Sequence, residues 1–239
     1  MYKILVIGAH NDECEYGCGG VTYLLKQKGC DVLYLNPACL WHREVPAEEK
    51  RIWEAQEQKA AEILGAKKII IGDRDGNIYR GGADMILEME KIILDYMPDI
   101  VFIHWPEDNH LEHRMVAKDS FEACCIAAVH GAQIKEIYAF EAGINQSVPY
   151  FNPDFTIRIT DAMPAIEESL ACFDQPTASG GALYREKAKG AAFRGTYSEG
   201  FRIIKFPGGN ADFLLKELLS DYWRWAGFGM YPAYNKYYW

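Results

Sequence analysis

KILVIGAHNDECEYGCGG, from Lys3 to Gly20, holds the decision about the fold. Tyr2 to Gly8 is a short, β-branched apolar run, the composition of a strand buried on both faces of a parallel sheet. At His10 the character changes. An imidazole, Asp12, Glu13 and Glu15 follow within six positions. Helix patterning then runs from Gly17 to Lys28 and stops at Gly29. Strand, polar turn and helix make the opening unit of an α/β sheet, and ligands bind such sheets beyond the carboxyl ends of the strands. Three acids and a histidine at that place need partners or water.

Working outward, the alternation continues. Asp31–Leu35, Lys68–Ile71, Asp99–Ile103 and Ile134–Phe140 read as strands, and Ala47–Leu64, Ala83–Tyr96 and His110–Val129 as helices. Strands separated by helices with short turns predict a parallel sheet covered on both faces, a doubly wound three-layer αβα sandwich. The remainder is mixed. Phe155–Ile159 and Phe201–Phe206 read as strands, and Ala162–Cys172, Leu183–Ala192 and Ala211–Ser220 as helices. No repeat, low-complexity stretch or linker interrupts the chain, so residues 1–239 are expected to form one domain. Residues 222–239 are an aromatic-rich, irregular tail, read as a subunit interface, a wall of the substrate cleft or packing over the edge of the core.

The totals narrow the classes. Of 239 residues, 49% are hydrophobic and 25% charged, an ordinary globular balance. Acids outnumber bases 34 to 25, a net charge of −9, which disfavours nucleic acid as a partner. No stretch has the roughly 18 apolar residues of a membrane span, and the N-terminus does not read as a signal peptide. Seven cysteines, an odd number without paired CxxC motifs, fit a reducing compartment, and the expectation is a cytoplasmic protein.

Two readings compete for the first polar cluster. Gly17, Gly19 and Gly20 invite a dinucleotide-binding interpretation, but the turn directly after the strand holds acids, which would repel a pyrophosphate. The glycines fit better as places where the helix comes close to the sheet. The second reading is a metal: His10 and a nearby carboxylate can converge on one ion, and a further histidine would complete a three-ligand hydrolytic site. A capping acid and a hydrogen-bonded histidine remain the plain alternative. The fourth strand ends in FIHWPEDNHLEHR, which supplies His104, Glu107, Asp108, His110, Glu112 and His113. His110 and His113 are three apart at a helix start and can share a face. Strands one and four are commonly neighbours in doubly wound sheets, so the two clusters are expected to meet.

On these residues the chain resembles the PIG-L/LmbE family of zinc-dependent de-N-acetylases. AHNDEC, Ala9 to Cys14, is similar to the family's AHPDDE, and HLEH, His110 to His113, to its HPDH. EQKAAEILGAKKIIIGDRDGNI and AAFRGTYSEGF resemble two further family stretches. The resemblance implies a Rossmann-like, mostly parallel sheet and Zn2+ held by His10, Glu13 and His113, although another divalent ion such as Fe2+ can occupy similar donors. It implies Asp12 as general base and His110 facing the reacting carbonyl or leaving amine. Asp108 and Glu112 would orient the two histidines, as outer carboxylates do in metal sites. The implied substrate is a small acetylated amino sugar or conjugate, and family members are often homo-oligomers. Asn11, Glu13, Cys14 and Glu112 depart from the family letters, as do Trp53 and Gln56 where the long helix often shows Arg and Glu. These departures leave two alternatives: a non-catalytic relative that binds metal or ligand, and an amidase for a non-sugar conjugate.

Several other residues carry paired readings. Cys14 and Cys18 beside His10 could form a closed zinc site. His42, Arg43, Asp73, Arg74 and Asp75 lie in loops at the same end of the sheet, as substrate contacts or as solvated loops. His104 can cap its strand, and His130 a helix end. Arg194 and Glu199 can bind substrate or hold the tail to the core.

Overall fold

Alternation along the buried strands creates two apolar surfaces, and helices cover each. The computed structural model describes residues 1–38, 46–72, 79, 81–142, 151–173, 184–185, 188, 196–205 and 212–226. Five parallel strands form the first part of the sheet: β1 (Lys3–Ile7), β2 (Asp31–Asn36), β3 (Lys67–Ile70), β4 (Ile100–His104) and β5 (Glu136–Phe140). Three antiparallel pairings extend it: β6 (Phe155–Arg158), β7 (Ser198–Lys205) and β8 (Trp223–Trp225). The order is β3-β2-β1-β4-β5-β7-β6-β8. β1 and β4 are neighbours, and the chain reverses its direction of winding between them, which is where open α/β sheets present their binding crevice.

One face of each strand packs against α1 (Glu13–Gln27), α2 (Ala47–Leu64) and α5 (Met163–Leu170). Ile4, Val6, Tyr34, Phe102, Tyr138 and Phe140 point that way. The residues between them, including Leu5, Ile7, Leu35, Val101, Ile103 and Ala139, point to α3 (Ala83–Tyr96) and α4 (Leu111–Val129). The period-two switch in side-chain direction thus produces the three layers. A short helix, α6 (Leu214–Leu218), completes the described elements. Its first N–H groups are taken by the buried Glu136 carboxylate, which also accepts from the Tyr138 hydroxyl at 2.8 Å. Among the described residues, no helix is long and apolar enough to cross a membrane.

α6 is Leu214–Leu218 of the helix expected at Ala211–Ser220, and β7 starts at Ser198 rather than Phe201. Two other elements differ more from the sequence expectation. The first helix starts at Glu13 rather than Gly17, with Asp12 as its N-cap residue. It is broken at Cys18 (φ −136°, ψ 15°), and that kink frees N–H groups in mid-helix. Both oxygens of Glu199 accept them, from Gly20 and Val21 at 2.8 Å each, and the Tyr184 hydroxyl donates to the same carboxylate. Glu199 therefore holds the interior of the helix and does not face a substrate; Arg194 lies outside the described residues. The glycines do bring helix and sheet together: a Cβ on Gly17 would overlap the Phe140 ring, and one on Gly20 would overlap Ile159. The second difference is Trp223–Trp225, expected to be irregular, which pairs with β6 as an edge strand. Phe155 and Trp223 stack there with centroids 3.7 Å apart. Residues 227–239 and most of the helix expected at Leu183–Ala192 lie outside the described residues.

Candidate metal centre

The carboxyl ends of β1 and β4 carry the site. At the first, Asp12 opens α1 with its backbone carbonyl accepting from Tyr16 N–H at 2.9 Å, while its carboxylate makes no cap bond to the helix. Glu13 on the first turn points back: Oε2 accepts the His10 N–H at 2.8 Å, and Oε1 lies 2.9 Å from His10 Nδ1. At the second, His110 is the N-cap residue of α4, and His113 follows one turn inside. Asp108 Oδ1 accepts the His110 N–H at 2.7 Å, which fixes the entry to the helix.

Glu13 joins the two ends. Its Oε1 is 2.5 Å from His113 Nε2, and its Oε2 is 2.8 Å from His104 Nε2. The outer nitrogens face other carboxylates: His10 Nε2 lies 2.8 Å from Glu112 Oε2, and His113 Nδ1 lies 3.2 Å from Asp108 Oδ2. Glu112 is itself anchored, because its Oε1 accepts the Tyr79 N–H at 2.6 Å. The His110 ring stands 4.5 Å from that of His113 and 5.1 Å from that of His10. Each histidine of the proposed ligand set thus has a carboxylate behind it, the arrangement that sets tautomer and ring plane in metal sites. The His10–Glu112 contact has hydrogen-bond geometry, whereas His113 Nδ1 and Asp108 Oδ2 are close without forming one.

Charge follows this geometry. Burial alone would lower the His10 pKa, but Glu13 and Glu112 outweigh it and raise it to about 10. Burial also opposes the charge on His113, and Glu13 with Asp108 raises it to about 9. Burial would raise the Glu13 pKa, but His113, His10 and His104 hold it well below the usual carboxylate range. His110 moves the other way: burial and the neighbouring imidazoles lower its pKa.

The residues fit a metal cation. Two sets of three bring one ligand atom each within 4.8 Å of one another: His10, His110 and His113, and Glu13, His104 and His113. His113 belongs to both, and His10 and Glu13 fall in different sets, linked by their direct contact. Nδ1 of His104 and Nδ1 of His110 are buried without a hydrogen-bond partner. Imidazole nitrogens with carboxylate oxygens are a donor set suited to zinc. No cysteine joins either set. Cys14 turns to the Val6 carbonyl in the apolar layer, and burial pushes its thiol pKa upward, so the closed cysteine site is not formed.

His104 is the residue that sequence reasoning undervalued. It is wholly buried, accepts the Ala9 N–H at 2.7 Å and stacks on His113 with centroids 4.5 Å apart. Its signal was its position as the last residue of β4, facing the end of β1. His130 sits far from the centre, beside Glu90 at 2.5 Å. His42, Arg43, Asp73, Arg74 and Asp75 lie outside the described residues.

Comparisons with known proteins place the chain in a family. The profile of the family described as PIG-L, GlcNAc-PI de-N-acetylase, matches residues 5–124, half of the chain, from β1 into α4. Diacetylchitobiose deacetylase of Thermococcus kodakarensis is 28% identical over 173 residues, a match spanning 67% of this chain and 65% of that protein. The chain thus spans a little under two thirds of that relative. Among solved structures, GalB, the 4-carboxy-2-hydroxymuconate hydratase of Pseudomonas putida KT2440, superposes with a TM-score of 0.72 at 20% identity, covering 89% of this chain and all of that one. N,N'-diacetylchitobiose deacetylase of Pyrococcus horikoshii gives 0.68 at 22% identity, covering 84% and 83%. One of these is a hydratase, so the shared fold does not by itself name a reaction. With both polar clusters inside the matched stretch, the chain belongs to the PIG-L (GlcNAc-PI de-N-acetylase) family.

Proposed function

We propose that the chain is a zinc-dependent hydrolase that removes an N-acetyl group from an N-acetylglucosamine-like sugar or conjugate. The observation that carries this is the Glu13 carboxylate, held between His10 and His113 with Glu112 and Asp108 behind them. His10, Glu13 and His113 would hold the ion, from nitrogens and oxygens that already face one another. When bound, zinc supplies Lewis-acid chemistry, lowering the pKa of a water to about 7 and polarising a carbonyl.

The chain's own residues do the rest. Asp12 lies next to Glu13, buried at the carboxyl end of β1, and is proposed as the base that takes a proton from water. His110 stands across from His10 with a buried Nδ1 that lacks a partner. It can hydrogen-bond the amide oxygen or hand a proton to the departing nitrogen. The products are a free amine and acetate. The deacetylase relatives support an acetylated sugar as substrate, and His42, Arg43, Asp73 and Arg74, outside the described residues, are proposed to select it.

The test is acetate release from N-acetylglucosamine and N,N'-diacetylchitobiose by the zinc-loaded protein. Zinc-dependent release, absent after chelation and restored on adding zinc back, is the expected result. A protein that binds zinc yet releases no acetate from any N-acylated amino sugar would overturn the reaction.

A further inference from the structure

The turn that projects His10, Asp12 and Glu13 is held from outside itself. Asn36, the last residue of β2, donates Nδ2 to the Gly8 carbonyl at 2.9 Å and to the His10 carbonyl. Lys68, one strand further, donates Nζ to the Asn11 carbonyl and to both oxygens of Glu15, at 2.9 and 3.1 Å. The Lys68 and Glu15 side chains are completely buried. The rings of Tyr34 and Phe173 each stand 5.9 Å from the ammonium. Burial by itself would lower the Lys68 pKa, but Glu15 and Glu57 outweigh it and the amine stays charged, whereas at Glu15 burial outweighs the Lys68 ammonium and raises the carboxyl to about 7.

A buried ion pair is a weak source of stability, because its desolvation offsets most of its attraction. This pair has a different consequence. The Asn11 peptide is the link between His10 and Asp12, and any rotation of it moves both side chains. Displacements of about 1 Å at a reacting centre can cost roughly a hundredfold in rate. We propose that Lys68 is a positioning residue of the metal centre: its ammonium pins the Asn11 carbonyl and, through Glu15, the first turn of α1, fixing the backbone from which Asp12 and Glu13 project. The kinetic part of this proposal rests on the zinc-hydrolase reading; the anchoring part does not.

The test is the double variant Glu15→Leu/Lys68→Met. Removing both charges avoids stranding Glu15, so the double variant should melt closer to the wild type than Lys68→Met alone, which takes the ammonium away from both Glu15 and the buried Glu57. The Asn11 carbonyl nevertheless loses its donor. In the double variant, zinc affinity and kcat should each fall about 10- to 100-fold, with KM for an acetylated sugar unchanged. Amide exchange across residues 9–16 should also quicken in the metal-free protein. A normally melting double variant with wild-type zinc affinity and exchange would overturn the role of Lys68. If the wild type binds zinc without releasing acetate, the hydrolase reading fails, while affinity and exchange still judge Lys68. Should the double variant not fold, Glu15→Gln/Lys68→Met serves for the same measurements.

Discussion

The two turns that meet at the centre are built in opposite ways. The β4–α4 turn supports itself. Asp108 takes the His110 N–H, and Arg114 donates to the Asp108 and Asn109 carbonyls at 2.7 and 2.8 Å, all within seven residues. The β1–α1 turn has one bond of that local kind, from the His10 N–H to Glu13, and its carbonyls are held from outside: those of Gly8 and His10 by Asn36, 28 and 26 residues away, and that of Asn11 by Lys68, 57 residues away. A turn that holds itself can be read from a short motif. A turn held by its neighbours depends on the whole sheet being formed, so its geometry is more exposed to distant changes.

Breaking the chemistry of each turn tests this contrast first. Asp12→Asn should lower kcat by about 10²- to 10⁴-fold while bound zinc persists, read by steady-state kinetics and metal analysis. Full activity in that variant would remove Asp12 from the mechanism. The next effect is pH dependence. His10 and His113, with pKa values raised to about 10 and about 9, each hold a proton in the metal-free protein at neutral pH. The stabilisation from these imidazolium contacts is fully present below the ordinary value of 6.5 and is lost as pH rises through 9 to 10. Zinc must displace those protons, so its affinity should strengthen from pH 7 to pH 9 by up to about tenfold per unit for each proton released. Calorimetry in buffers of different ionisation enthalpy counts the protons; none released would contradict the assigned states.

Smaller effects separate the two kinds of support. Asp108→Ala removes both the helix-entry bond and the carboxylate behind His113, and should weaken zinc about 10- to 100-fold. Asn36→Ala leaves two buried carbonyls without their donor and should cost about 1–3 kcal/mol in denaturant unfolding, with a parallel loss of zinc affinity. Arg114→Ala, on a part-exposed bond to a self-held turn, should cost about 1 kcal/mol or less and leave zinc binding unchanged. Equal effects of these last two changes on zinc affinity would erase the distinction between the turns.

The sequence was most legible where local pattern and final environment agree. The β-branched run before His10 is a strand because both its faces are buried, and Ala47–Leu64 and Ala83–Tyr96 are the observed helices to the residue. The adjacency of β1 and β4, and with it the meeting of the clusters, followed from the rules of parallel sheets. The start of α1 was missed because its first turn is acidic and its middle rich in glycine, a composition that local propensity assigns to a turn. Tertiary partners decide otherwise: Lys68 neutralises Glu15, and Glu199 satisfies the kink. His104, Asn36 and Lys68 carry no motif. Their importance is set by which strand ends lie side by side, a property of the sheet and not of any short stretch.

The most direct measurement is zinc content, by metal analysis, of the purified wild type and of His113→Ala after both are supplied with zinc. One zinc per chain in the wild type, lost in the variant without loss of folding, is the predicted result, and it would join the two turns in one centre. A wild type that takes up no zinc, or a folded variant that retains it in full, would contradict the account.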